Sequence, residues 1–579
     1  MRDLLLGVKG GVHYMLRGYW IWGAALSISG ALVVGCTSVS SSDRRTTAEQ
    51  SNTNVVQAKK TEPTIDKLAQ AHAHYAAGVI HEMNVETEAA LNEYYQAAIK
   101  DPENEWLVLE VSRHFLLNRQ PDKALEVLAH AGSRPDASSA ILVRLGVVQV
   151  QLGKSDLAVA AFRAAIRKSP DFLAGYQNLF LTYMQGKQEP EALKVLEDAG
   201  KHSKANPDFL IGLSELYLNY TLQVPSEKEK ATKKALELLE RAAKLKPVSL
   251  LSRLRLADDF NALGDTERAA QLYLGLLKSL PNESSERERV HAKLASIYLR
   301  GDDPHKATEQ LEAIVREDPT NPQAYFYLGY LAYSKKKPAE AADYFSKTVL
   351  LSPDFEEAYY QLALAQISMD QAEAALGTLE KARTRFQSNF LMELWTGLAY
   401  ARKKEYAEAI KHFTAAEVIA KATDPNRLNA EFYFQLGAAQ ERNGDYEQAE
   451  KYFEKCLQLD PDSAETQNYL GYMWAERGVK LEQARELIEK AVKTEPKNGA
   501  YLDSLGWVLF KLNKPQEALE YVLKAVEVTP EPDATLFDHL GDIYAALEQP
   551  EKAREAWNKS ISLETNDKVR KKLEASVAK

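Results

Sequence analysis

Cysteine is nearly absent from this chain. Of its 579 residues only Cys36 and Cys456 are cysteines, and their unrelated contexts exclude both a disulfide framework and a zinc site. Long apolar runs are missing too: the longest, Trp20 to Val34, has about fifteen residues, short of the roughly 20 that a membrane span needs. No Lys/Arg block interleaved with aromatics occurs, and the formal net charge is −10. Such a surface repels phosphate backbones, which argues against a nucleic-acid partner. Phosphate loops, dinucleotide fingerprints and nucleophile elbows are likewise lacking. Three of the eleven histidines, His72, His74 and His81, cluster. No Cys or paired carboxylate stands at ligand spacing from them, and His81-Glu82 does not continue into the metalloprotease helix motif, so packing or partial exposure is favoured over metal binding. The chain reads as a non-enzyme without a cofactor.

What is present is repetition. Leu294, Ala295, Tyr298, Ala307, Leu311, Ile314 and Pro319 answer, 34 residues later, to Leu328, Gly329, Ala332, Ala341, Phe345, Thr348 and Pro353. Counting from Pro322 as position 1, Tyr325, Leu328 and Ala332 fall three and four apart, which places them on one helical face. Ala341, Phe345 and Thr348 form a second such face. Small residues at positions 8 and 20 let the two helices approach closely beside the Phe345 ring. Proline at position 32 closes the unit. The 45% hydrophobic and 27% charged composition, with 28 Tyr and seven Met, suits helices spaced by aromatic rings. Cys456 sits at position 27 of a unit, where a small buried residue belongs.

This pattern resembles the tetratricopeptide repeat, whose period is also 34 residues. The resemblance implies an all-α solenoid, a right-handed superhelix of about fourteen helix-turn-helix units, over residues 67–567, closed by a polar capping helix at 568–579. The units start near Ala71, Glu105, Ser139, Leu173, Pro207, Leu250, Glu288, Pro322, Glu356, Phe390, Ala430, Ala464, Gly499 and Ala534. Insertions at Thr221–Lys233, Ser284–Arg287 and Asp424–Asn429 are polar and read as surface loops.

In this family positions 5, 9 and 12 of the first helix line the concave face. By that resemblance Phe326, Tyr330, Tyr333, Tyr360, Tyr472, Trp507 and Phe510 are candidates to grip a protein or extended peptide, since aromatic anchors dominate interfaces. Leu364, Ile367 and Asp503 share the face. The alternative is that adjacent first helices bury these rings against one another. The chaperone-adaptor members of the family carry Asn at position 9 to clamp a terminal carboxylate, and no unit here does.

The N-terminal region reads as a targeting segment. Arg17 supplies a positive start, and Trp20 to Val34 an apolar core. A start at Met15 rather than Met1 gives conventional proportions. Ala31 to Cys36 resembles the lipobox of bacterial lipoproteins, which makes residues 1–35 a signal peptide and Cys36 the site of lipid attachment. The alternative is an uncleaved signal anchor with a chance cysteine. Residues 36–66 then form a lipidated tether, too polar to bury a core. Thr37 and Ser38, with no Asp after the cysteine, imply by the same resemblance the outer membrane facing the periplasm. The closing stretches Leu502–Val526 and Leu536–Trp557 are similar to those of large bacterial repeat lipoproteins, a group that includes an adaptor of a periplasmic carboxyl-terminal processing protease. The expected function is therefore a lipid-anchored scaffold that recruits or activates a protein partner such as a periplasmic protease. The rivals are a structural subunit of an envelope assembly or polysaccharide export complex, and an accessory domain of an enzyme.

Overall fold

Two local devices, repeated along the chain, cut it into helices. Before a first helix stands Asn, Ser or Asp, whose side chain accepts an orphan backbone N–H: Asn104 from Leu107, Ser138 from Ile141, Asn321 from Ala324, Asn389 from Met392. Second helices often begin on proline instead, as at Pro121, Pro304, Pro338, Pro515 and Pro550. There the missing N–H has no helical partner to lose and φ is already set.

The computed structural model describes residues 65–577 apart from Ser203, Glu283 and Pro532. Cys36, the expected signal peptide and all but the last two residues of the expected tether lie outside them. The described residues are helical and contain no strand. They divide into two compact units. The first, residues 65–319, holds seven helix pairs, from Ile65–Met83 with Thr87–Lys100 to Ser285–Arg300 with Pro304–Glu317. The second, residues 320–577, holds seven more, from Pro322–Ser334 with Pro338–Leu351 to Ala534–Ala546 with Pro550–Leu563, and then the helix Asp567–Val577. This is the all-α repeat solenoid expected from the 34-residue period.

Within a pair, the close approach rests on a missing side chain. A Cβ at Gly329 would stand 2.7 Å from Phe345 Cε1, and Gly397, Gly437 and Gly541 are closed in the same way by Phe413, Phe453 and Trp557. Burying a ring of this size contributes about 1.5–3 kcal/mol, which a side chain at the glycine would forfeit by prising the helices apart.

Between pairs, first helices touch first helices: in the second unit Pro322–Ser334 meets Glu356–Ser368, which meets Phe390–Arg402, and Ala464–Arg477 meets Gly499–Lys511. Second helices of successive pairs stand farther apart, Thr87–Lys100 and Pro121–Gly132 excepted. In each unit the first helices therefore form the tighter, inner layer.

The insertions read as loops are largely helical. In the fifth pair the first helix runs on to Gln223 and the second begins at Lys228, with a 3-10 turn Pro225–Glu227 between them. Tyr217, Tyr220 and Thr221 are buried, so the added turn extends the core and satisfies its own amides, which a loop over the same surface would leave to water. Likewise Tyr406–Thr423 is lengthened up to the turn Pro425–Arg427, and the helix Ser285–Arg300 absorbs the insertion before Glu288. The first helix of the array starts at Ile65 rather than Ala71. At the far end Val569 is fully buried, and Lys572 Nζ donates to Asp538 Oδ1 and Asp542 Oδ2, both at 2.7 Å.

Candidate interaction face

The inner layer of residues 320–577 is where the aromatic candidates fall, and the structure divides them. Tyr330 and Tyr333 are half-buried on the helix Pro322–Ser334, beside Tyr327, and all three pack on the Phe326–Phe345 core with an edge left open. Among the described residues no ring from a neighbouring helix stacks on them. Tyr333 Oη lies 2.7 Å from Ser368 Oγ on the next first helix, which fixes the tilt of its ring. Tyr327 was not among the candidates, because position 6 is not one of the family's groove positions. Its hydroxyl pKa is raised by burial and by the nearby Glu357 carboxylate.

Phe326, Tyr360 and Trp507 are covered and present no ring to a partner. Phe326 stacks on Phe355, with centroids 4.7 Å apart. Tyr360 is buried; its hydroxyl donates to Glu356 Oε1 at 2.6 Å and accepts from Asn389 Nδ2 at 2.8 Å. That ring ties the ninth first helix to the cap of the tenth. Trp507 is 6% exposed and lies flat on His539 of the following first helix, centroids 3.9 Å apart at 14°. On its own helix Phe510, half-buried, stacks at 5.2 Å and Lys511 Nζ sits 4.6 Å above the ring. His539 Nδ1 is 3.0 Å from Asp503 Oδ2. Burial pulls the imidazole pKa down, but the Asp503 charge and hydrogen bond, with Glu476, outweigh it and leave the pKa raised. Tyr472, half-buried, donates to Glu476 Oε1 at 3.4 Å. Asp503 thus acts as the partner of a histidine, and Leu364 remains half-open while Ile367 is buried.

The other sequence candidates have structural partners. His74 Nδ1 lies 2.6 Å from Glu93 Oε2 and His81 Nδ1 2.5 Å from Glu86 Oε2. Among the described residues no cluster of three or more His, Cys, Asp or Glu could hold a metal ion. Cys456 is buried beside Thr466 Oγ1 at 3.1 Å, and burial raises its thiol pKa. A depression of about 490 Å³ is lined by Arg383, Tyr400, Lys403 and His412. Its side chains are already engaged: Arg383 pairs with Glu393, His412 Nδ1 lies 2.5 Å from the same carboxylate, and Lys403 pairs with Glu373 and Glu405. Among the described residues no helix is long and apolar enough to cross a membrane.

Comparison with known proteins follows the same lines. One tetratricopeptide repeat model matches residues 112–172, 232–284, 293–354, 360–426 and 480–535, which is more than half of the chain, and two others match 430–463 and 534–567. The chain is 23% identical over 244 residues to the peroxisomal targeting signal receptor of Saccharomyces cerevisiae, covering 41% of this chain and 38% of that protein. It is 27% identical over 188 residues to anaphase-promoting complex subunit 6 of Arabidopsis thaliana, covering 32% and 33%. The matches thus span only about a third of the length of these relatives. Among solved structures, the Cut9 and Hcn1 hetero-tetramer of the APC/C aligns with 80% of this chain and 95% of the matched one at 14% identity and a TM-score of 0.38. MamA from Desulfovibrio magneticus RS-1 covers 31% and 98% at 20% identity and a TM-score of 0.28.

Proposed function

This chain belongs to the tetratricopeptide repeat family, and from that premise we propose that it is a lipid-anchored scaffold of a bacterial envelope, holding a protein partner on the inner face of residues 320–577. The observation that carries the reading is the row Tyr327, Tyr330 and Tyr333, three half-buried rings on a first helix that, among the described residues, have no aromatic cover from the next one. Such rings contribute large contact area at low entropic cost and dominate interface energetics. Cys36 is the proposed anchor, and about thirty residues of polar tether give a reach of roughly 30 Å from the lipid. The outer membrane is the proposed location, and a periplasmic protease the proposed class of partner.

The test is affinity capture of detergent-solubilised envelope proteins on the immobilised chain, followed by titration of the partner recovered. Tyr330→Ala and Tyr333→Ala should weaken binding by about 2 kcal/mol, roughly thirtyfold, with helicity and melting temperature nearly intact. Tyr360→Ala and Trp507→Ala should instead melt early, because both rings are covered. Unchanged affinity in both Tyr330→Ala and Tyr333→Ala would remove this face from the function and favour a structural subunit held by flat, permanent contacts.

A further inference from the structure

Aromatic rings in the second unit commonly carry one of the chain's own cations. Lys347 lies 5.1 Å over Tyr325, Lys455 4.6 Å over Tyr433, Lys480 4.8 Å over Trp474 and Lys511 4.6 Å over Trp507. Among the described residues Tyr327, Tyr330 and Tyr333 have none. On the next first helix Glu357, half-buried at position 2 of its unit, lies close enough to Tyr327 to act on its hydroxyl. Burial and the neighbouring Glu356 both raise the pKa of Glu357, and among the described residues it has no ion-pair partner. Glu356 itself is engaged by Tyr360 and Asn389. A half-buried carboxylate beside a tyrosine ring and without a counter-charge is costly to the folded chain, and a partner's cation would relieve that cost.

We propose that the surface between the helices Pro322–Ser334 and Glu356–Ser368 receives a lysine or arginine side chain from an extended segment of the partner protein. Glu357 supplies the charge, and Tyr327 and Tyr330 supply the ring faces. Arginine fits best, since a planar guanidinium can stack on tyrosine while donating two parallel hydrogen bonds to one carboxylate. Gln361 and Leu364, one and two turns along from Glu357, are half-buried on the same helix. The charge complementarity is local: the acid and the uncovered rings come from adjacent first helices of one compact unit. This inference rests on the scaffold reading above and narrows it to partners that present a basic anchor.

The test is selection of a displayed random dodecapeptide library on the full chain, in parallel with Glu357→Gln and Tyr330→Ala. The wild type should enrich peptides rich in Lys and Arg. Glu357→Gln should lose that enrichment, and a selected peptide should bind it at least tenfold more weakly, with the difference shrinking as salt rises. The same variant should melt no earlier than wild type, since it discards an unpaired half-buried charge. Early melting would mark Glu357 as structural and overturn the proposal. Peptides selected without basic bias, or with a bias that survives Glu357→Gln, overturn the basic anchor but leave the scaffold reading standing so long as Tyr330→Ala still abolishes their binding. A library from which nothing binds, or whose binders ignore Tyr330→Ala, overturns both.

Discussion

Two buried carboxylates respond to the fold in opposite senses. Asp259 is held by Ser214 Oγ at 2.8 Å, but burial and the nearby Glu215 raise its pKa to about 7, against the weaker pull of Ser214 and Arg255. Burial raises Glu393 too; there the hydrogen bonds from His412, Ser388 and Arg383 prevail and lower it to about 2. A raised carboxylate favours the folded state while protonated, so Asp259's contribution is full below pH 3.8 and is lost as pH rises toward 7. A depressed one stabilises when ionised, so Glu393's contribution is full above pH 4.5 and is lost as pH falls toward 2. Asp259→Asn should therefore flatten the decline in stability between pH 4 and 7, which in wild type has a slope of up to roughly 1.4 kcal/mol per pH unit from this group. Urea melts across that range would show it; an unchanged slope would mean Asp259 is solvated. Both residues sit on first helices among apolar neighbours, and their partners come from several helices. Position along the sequence did not distinguish them.

At the scale of the helix pair, the turn is the element that sequence reading missed. Position 15 of thirteen of the fourteen units is left-handed, and glycine fills it only at Gly153, Gly264, Gly444 and Gly478. Elsewhere Lys, Arg, Asp, Asn or Glu takes the conformation, and in the first pair Val85 does, at φ 63°. A β-branched residue is the least suited to it. Replacing exposed Val85 with Asn or Gly should raise the stability of that pair by about 0.5–1 kcal/mol, the left-handed penalty recovered less any added freedom of the unfolded chain. Hydrogen exchange in Ile65–Lys100 would register the gain, and slower exchange should be confined to those helices and their immediate neighbours because each pair stacks only on the next. The glycine-to-ring contact was legible, as at Gly329 and Phe345, because both residues recur at fixed positions within one unit. The lengthened helices of the fifth and tenth pairs were not, since Thr221–Lys233 and Asp424–Asn429 carry the polar composition of loops.

For the molecule as a whole, the proposed anchor is separable from the repeats. Cys36→Ala should abolish incorporation of labelled palmitate and release the protein from the membrane fraction, because stable residence needs two or more acyl chains. The repeats should fold unchanged. Palmitate entering the substituted protein would refute the assignment. The 34-residue period by itself determined the all-α solenoid, its approximate number of units and the starts of most first helices, because those features arise from contacts within a unit and every unit restates them. Which rings remain open was decided only by tertiary structure. Tyr330 and Trp507 occupy the same position 9, yet His539 at position 6 of the following unit lies flat on Trp507, while Gln361, at position 6 of the unit after Tyr330, offers no ring. The difference lies in the neighbour that packs alongside, and a period read one unit at a time does not contain it.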